Sequence, residues 1–535
     1  MSRSMNGYIF LALPFVFFFL GAIFSRPWFL FADPLYLQVI SISCFAFAST
    51  LYAIDRRNKK LSRLKNFSGF RENWFLFAIF IISFALMLKF PVRNLSLGDG
   101  ILLLENVSLE SGIFGFQLTL DEFFEAFSHS VLYSIMQKYY PDPRVSYRIL
   151  SWSSGFFFLG ILFFFVRRNR ISPVLCLIPL FSGGMILFHG YAENYTIVSL
   201  VIFLVMVFGY ETIRRKKTDF SALLPVVLLA SMAVYCHLVS GYLIFALAFL
   251  CYIISGKKKF LINAIFSAGV GLTLVTSLFV YFIFFADVRA DLSQTHIAHP
   301  PFYPWRRLFS LNHFYEIASC VGFSCIIPFW ILIHKTVFER EKLFNFLKNP
   351  QNVFLFLVLI GFTIHGFTFN PLLGFPSDWD IMSFYWLPLS FFSVLYLHES
   401  SEDICEYIPL IVFGILIYIG NIVSLNQIDP AREEIAMTTL EMTSLFINEN
   451  RSKILANPPD QKKFLMKTSF FLFKTKINIG RSESGTNRDQ LLRSNLELQK
   501  ELDINANKMS DEWSRNYLQK LTEYHNQYLK HSGKK

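Results

Sequence analysis

The run WFLFAIFIISFALMLKF, from Trp74 to Phe90, holds a single charge in 17 residues, Lys89, next to its end. At 1.5 Å per residue it nearly covers the ~30 Å of a bilayer's hydrocarbon core. Comparable runs stand on both sides of it. Thirteen spans are read in all, at residues 8–24, 35–54, 74–90, 149–166, 171–188, 195–213, 220–236, 241–255, 260–286, 314–333, 351–369, 383–397 and 405–425. The composition agrees: of 535 residues, 54% are hydrophobic, 18% aromatic and only 16% charged, where a soluble domain carries roughly 25% charged residues. The expected fold class is an all-α polytopic membrane protein with about 13 transmembrane helices, a long outer-face loop after the third, and a small helical C-terminal tail.

The formal net charge is +11. In a soluble protein that would suggest a nucleic-acid partner, but positive residues collect in the cytoplasmic loops of polytopic proteins without any polyanion being bound. Alternate loops carry 22 Lys/Arg in one set and nine in the other. The N-terminus is therefore expected in the cytoplasm, and an odd span count places the tail outside; the loop at 398–406, with no Lys or Arg, gives no support either way. The first span has no small-x-small cleavage site after it and reads as a retained anchor. The seven cysteines lie in or beside apolar runs with no C-x-x-C pair, so they read as small core hydrophobes. Three regions result: 1–73, two N-terminal helices; 74–425, the main membrane domain; and 426–535, a tail with 18 Lys/Arg and 14 Asp/Glu.

With so little polar surface, function must sit in the few polar clusters, and nearly all fall in loops expected on the outer side. Leu97-Gly98-Asp99-Gly100 follows the third span, and the same loop carries Asp121-Glu122 and His129. The loop between spans five and six is His189-Gly190-Tyr191-Ala192-Glu193-Asn194. Span seven ends near His237, residues 287–313 contain Arg289, His296, Arg306 and Arg307, and Ser377-Asp378-Trp379-Asp380 leads into span twelve. Each cluster alone has an ordinary structural use. Gly-Asp-Gly makes a turn, Glu193-Asn194 and Asp378-Asp380 suit helix starts, Trp379 an interfacial belt, and arginines anchor headgroups. Their convergence on one face is less ordinary, because acids at a lipid boundary are costly unless they line a polar cavity. That arrangement suits group transfer from a lipid-phosphate donor: a carboxylate deprotonates an acceptor hydroxyl, Arg or His holds the phosphate, and an aromatic covers a sugar face. Carboxylate oxygens also suit Mg²⁺ or Mn²⁺, although no spacing here requires a metal.

In this layout the chain resembles the GT-C superfamily of polytopic glycosyltransferases, including the dolichyl-phosphate-mannose and aminoarabinose transferase relatives. Asp99 occupies the position of their essential acid in a long outer loop. Leu118-Thr119-Leu120-Asp121-Glu122-Phe123-Phe124 and Tyr147-Arg148-Ile149-Leu150-Ser151 are similar to the rest of that loop, and Gly190-Tyr191-Ala192-Glu193-Asn194-Tyr195 to a later outer helix start. The resemblance spans residues 74–425. It departs in that the acidic loop follows the third helix instead of the first, and in that Asp99 stands between glycines, leaving Glu105, Asp121 or Glu122 as its partner acid. It implies an inverting transfer of sugar from a polyprenyl-phosphate donor to a lipid, glycan or protein acceptor on the outer face. Asp99 would be the general base, with Glu122 as second catalytic acid. Arg289, His296, Arg306 and Arg307 would receive the phosphate, His189 and Glu193 would form the cavity wall, and Asp378, Trp379 and Asp380 would meet sugar or acceptor hydroxyls. The competing readings are a transporter or flippase of a lipid-linked sugar or anionic solute, and a polysaccharide polymerase or ligase.

Overall fold

A computed structural model describes residues 5–23, 34–58, 69–93, 100, 103–104, 107, 122–140, 142–216, 220–284, 301–371, 378–400 and 404–426. The tail and the residues Asp99, Glu105, Asp121, Arg289 and His296 lie outside these. The regular structure of the described residues is helical, apart from one isolated antiparallel bridge between Phe302 and Phe369. The longer helices are α1 (Met5–Ile23), α2 (Pro34–Asn58), α3 (Gly69–Lys89), α4 (Phe123–Met136), α5 (Arg144–Asn169), α6 (Thr196–Arg214), α7 (Phe220–Cys236), α8 (Ile244–Phe284), α9 (Leu311–Phe338), α10 (Pro350–Thr368), α11 (Trp386–Glu399) and α12 (Ile408–Asn426).

Among the described residues, eight helical stretches are long and apolar enough to cross a membrane. With every backbone group bonded inside the helix, such stretches are what a bilayer accepts, and the chain is an integral membrane protein. Three shorter apolar helices, Phe10–Leu20, Asn73–Lys89 and Phe220–Cys236, fall on further expected spans. Two of the eight, Leu238–Lys257 and Lys259–Ser277, meet inside α8. Gly256, at φ 61°, breaks the helix there, a conformation in which a side chain would be strained.

The other two expected spans differ from simple membrane helices. Residues 171–188 form a 3₁₀ turn at Pro173–Cys176, one α-turn at Leu177–Leu180 and a second 3₁₀ turn at Gly183–Phe188. Pro173, Pro179 and the Gly183-Gly184 pair explain the interruptions. The segment is buried, and serines serve its broken backbone: Ser182 Oγ donates to the Ile178 carbonyl at 2.7 Å, and Ser151 Oγ donates to Leu187 at 2.8 Å while accepting from Gly190 N–H at 2.9 Å. Irregular backbone survives at membrane depth where protein surrounds it in this way. The segment expected at 383–397 becomes α11, 14 residues with Trp386 to Leu397 all buried. Both stretches are apolar because they lie inside the protein.

A large core joins α5, α6, α7, α9, α10 and α11, and a second cluster of Phe15, Phe18, Leu37, Ile40, Cys44, Phe413 and Ile417 packs the α1–α2 pair against α12. Tyr36 donates to the Leu416 carbonyl at 2.8 Å and Trp330 to Phe10 at 3.0 Å, fastening the N-terminal pair to the main domain. One end of the bundle is rich in cations: Arg168, Arg214 and Arg215 surround Glu211, while Glu399 accepts from Tyr210, Asn349 and Asn352. The other end carries the candidate site.

Candidate functional site

Two backbone hydrogen bonds and one from a side-chain amide close that end. Val92 N–H donates to the His189 carbonyl at 2.7 Å, Arg93 N–H to Leu425 at 3.2 Å, and the Asn426 amide to Pro91 at 2.9 Å. Beyond them, Leu104 and Val107 pack with Tyr133, Tyr147 and Ala192 in a small buried cluster. Val92 on one side of Gly98-Asp99 and Leu104 and Val107 on the other therefore adjoin the His189 to Asn194 loop, and Gly100 is buried.

Helix α4 is the hinge of the arrangement. Just before its first turn, Glu122 accepts from the Asn194 amide at 2.9 Å and the Tyr195 hydroxyl at 3.3 Å, and its carboxylate lies 3.5 Å from Nε2 of His237. Nδ1 of His237 accepts from Val239 N–H at 3.0 Å, which leaves the ring proton on Nε2, facing Glu122. Burial opposes ionisation of Glu122, but His237, Asn194 and Tyr195 overcome it and hold the carboxyl below its ordinary range. One turn on, Glu125 is fully buried and bonds a different set: the backbone N–H groups of Thr196, Ile197 and Val198 and the Thr196 hydroxyl. It is a helix cap supplied from another element, a carboxylate at the positive end of α6. The i, i+3 spacing puts both carboxylates on one face of α4, so the bond of Glu125 to α6 fixes where Glu122 stands.

Glu193 and Asp380, both buried and 187 residues apart in the chain, act on the same tyrosine, Tyr191. Tyr191 donates to Asp380 and lies close to Glu193; burial and then these two charges push its phenol well above the ordinary range, so it stays a donor. Tyr195 lies within electrostatic reach of Glu122, Asp380, Glu193 and Asp378. Asp380 Oδ1 also accepts from Ile381 N–H at 2.8 Å, and Nε2 of His365 donates to the Ile381 carbonyl at 3.0 Å. The charges of four carboxylates thus reach one tyrosine, Glu122 by a direct hydrogen bond. Buried polar atoms with no protein partner gather nearby, on Ser240 Oγ, His365 Nδ1 and Ser383 Oγ, and such groups mark places for water or a polar ligand. Among the described residues no group of three or more His, Cys, Asp or Glu side chains is arranged to hold a metal ion.

Other expected site residues have different surroundings. Both ring nitrogens of His189 are engaged, Nδ1 with the Phe90 carbonyl at 2.9 Å and Nε2 with the Tyr418 hydroxyl at 2.5 Å. Burial lowers its pKa to about 4, so the ring is a neutral clasp between α12 and the end of α3. Trp379 is 1% exposed, packed edge-on against Phe323 and beside Tyr191. Arg306 is exposed, while Arg307 is held by Glu316 at 2.5 Å. Glu125, Glu316 and the tautomer of His237 were not visible in the sequence. The only signals were the Glu122-x-x-Glu125 spacing and a histidine at a span end.

No family model, no curated protein and no solved structure matches the chain.

Glu125 yields a pH prediction. Burial raises its pKa to about 7 against the opposing pull of its four donors, from an unfolded value near 4.5. The folded protein then keeps a proton that the unfolded chain releases, so stability from this group is full below about pH 4.5 and declines as pH rises to about 7. The decline is about 3 kcal/mol. Melting midpoints in detergent between pH 5 and 8 should fall in wild type and run flatter in Glu125→Gln; equal slopes would remove Glu125 as the cause.

Proposed function

We propose that the protein is an integral-membrane glycosyltransferase of GT-C type. It moves a sugar from a polyprenyl-phosphate donor to a lipid, glycan or protein acceptor on the outer face of the cytoplasmic membrane. The observation that carries this reading is that the buried Tyr195 bonds Glu122 at 3.3 Å and feels the charges of Glu193, Asp378 and Asp380 at the cation-poor end of the bundle. Buried acids at a membrane boundary are expensive unless they serve a substrate, and a sugar or its hydroxyl acceptor is a ligand that carboxylates and phenols bind by accepting and donating hydrogen bonds. Asp99, whose flanks adjoin this cluster, is the base that takes the acceptor proton. The acceptor oxygen attacks the anomeric carbon as the bond to the lipid phosphate breaks, inverting that centre, and the phosphate leaves toward Arg306 and Arg307. In this reading the N-terminus is cytoplasmic and an odd number of crossings leaves the site and the tail outside, in keeping with the excess of Lys and Arg in the alternate loops.

A transporter of the same lipid-linked sugar is the second reading, favoured by the interrupted, buried segment 171–188, since transporters build on broken helices. The two separate in one assay. The purified full chain is incubated with a panel of polyprenyl-phosphate sugars and membrane-lipid, glycan and peptide acceptors, and free polyprenyl phosphate is measured. Release that depends on the acceptor is expected. No release from any donor, together with movement of the sugar-lipid across liposomes, would replace the transferase by the transporter.

A further inference from the structure

Arg307 sits on a short helix, Trp305–Leu308, in a segment pinned to the end of α10. Tyr303 N–H donates to the Thr368 carbonyl at 3.0 Å, Asn370 N–H to Pro301 at 2.9 Å, and Phe302 bridges Phe369. Ser310 closes the turn, donating to the Arg307 carbonyl at 2.8 Å and accepting from His313 N–H at 3.2 Å. The guanidinium lies 5.7 Å from the centre of the Tyr303 ring, and its side chain is 35% exposed. One nitrogen meets Oε1 of Glu316 at 2.5 Å. The other carboxylate oxygen, Oε2, is 3.5 Å from Nδ1 of His313, whose Nε2 donates to the Phe367 carbonyl at 2.8 Å. Neither Oε2 nor that Nδ1 has a hydrogen-bond partner, so the carboxylate is held through its bond from Arg307. Two of the acids are within electrostatic range of this segment: the charge of Asp378 reaches Tyr303, and those of Glu316 and Asp380 both reach Cys320.

A guanidinium is a planar fork matched to carboxylate and phosphate oxygens alike. We infer that Glu316 is a resident stand-in anion on Arg307, and that a phosphate oxyanion displaces it. The surroundings favour a phosphate carried on a lipid: Trp305, Phe309, Leu311 and Phe314 are exposed around the pair, an apolar and aromatic rim of the kind found at headgroup depth. The inference rests on the transferase reading for the source of the phosphate, and on geometry alone for the exchange.

Binding tests this without turnover. Full-length wild type, Glu316→Gln, Arg307→Gln and the double variant are titrated in detergent with polyprenyl phosphate, polyprenol and inorganic phosphate, reading tryptophan fluorescence and calorimetry. Glu316→Gln is expected to bind polyprenyl phosphate about tenfold tighter, with inorganic phosphate shifting in the same direction and polyprenol unchanged. Arg307→Gln should abolish the gain. Unchanged or weaker binding in Glu316→Gln, or a gain that survives loss of Arg307, overturns the exchange, and a gain for inorganic phosphate alone overturns the lipid-borne source. Should Glu316→Gln not fold, Glu316→Asp, one methylene shorter, must move the affinity in the same direction. Tighter binding in a protein that transfers no sugar would leave this inference standing and remove the transferase; transfer without tighter binding would do the reverse.

Discussion

Replacing Asp99 by Asn is expected to cut acceptor-dependent release of polyprenyl phosphate by 10²-fold or more, while Glu122→Gln costs less than tenfold in kcat and acts mainly through KM. A general base works best when its pKa lies near the operating pH, and removing one costs 10²- to 10⁴-fold. Glu122 is poorly suited to that role. Its carboxyl is held below the ordinary range by His237, Asn194 and Tyr195 against the pull of burial, and those partners already occupy its oxygens. A carboxylate so engaged orients its neighbours better than it takes a proton. Asn and Gln keep the size of each side chain and remove only the charge, so the two variants separate a chemical role from a positioning one. A loss in Glu122→Gln equal to or larger than that in Asp99→Asn would move the base to Glu122 and make His237 its partner.

Hydropathy made the membrane class legible because a charge-poor run near 20 residues has few other uses. It also placed the break near Gly256, where Lys257 to Lys259 interrupt the apolar pattern. It could not distinguish lipid-facing helices from an enclosed segment, since residues 171–188 and α11 are as apolar as true spans. The prolines and glycines of 171–188 were in view, but their consequence depends on what surrounds them. In the site, Glu193 and Asp380 were legible from their position at helix starts. Glu125 was not, because it caps α6 from a helix some 70 residues earlier in the chain, outside the local pattern that marks an ordinary cap. His189 illustrates the opposite failure: a histidine in a polar outer loop reads as a ligand, and only the nearness of Phe90 and Tyr418 shows both its nitrogens spent.

Gly183→Ala is expected to prevent accumulation of folded protein, whereas Gly160→Ala should leave it intact or slightly more stable. A β-carbon at Gly183 would come within 1.9 Å of the Phe323 carbonyl oxygen, whereas one at Gly160 meets nothing within 4 Å. Overpacking a core costs about 1–3 kcal/mol when side chains can yield. Here the obstacle is backbone of α9 and not the far end of a flexible side chain, so the cost falls at or beyond that upper end. Gly160 lies mid-helix in α5, where Ala is preferred to Gly by about 0.5–1 kcal/mol. Size-exclusion profiles and melting midpoints of the two variants in detergent decide the matter, and similar behaviour in both would mean that the 171–188 segment does not lie against α9 as described. The contrast reaches the site as well. The chain runs from Gly183 through the 3₁₀ turn to His189, and from there in four residues to Glu193. A shift that relieved the clash would move the His189 clasp and, with it, Glu193 and Tyr191 relative to Asp380. A glycine chosen for close helix packing is thus also a condition for the acids to converge.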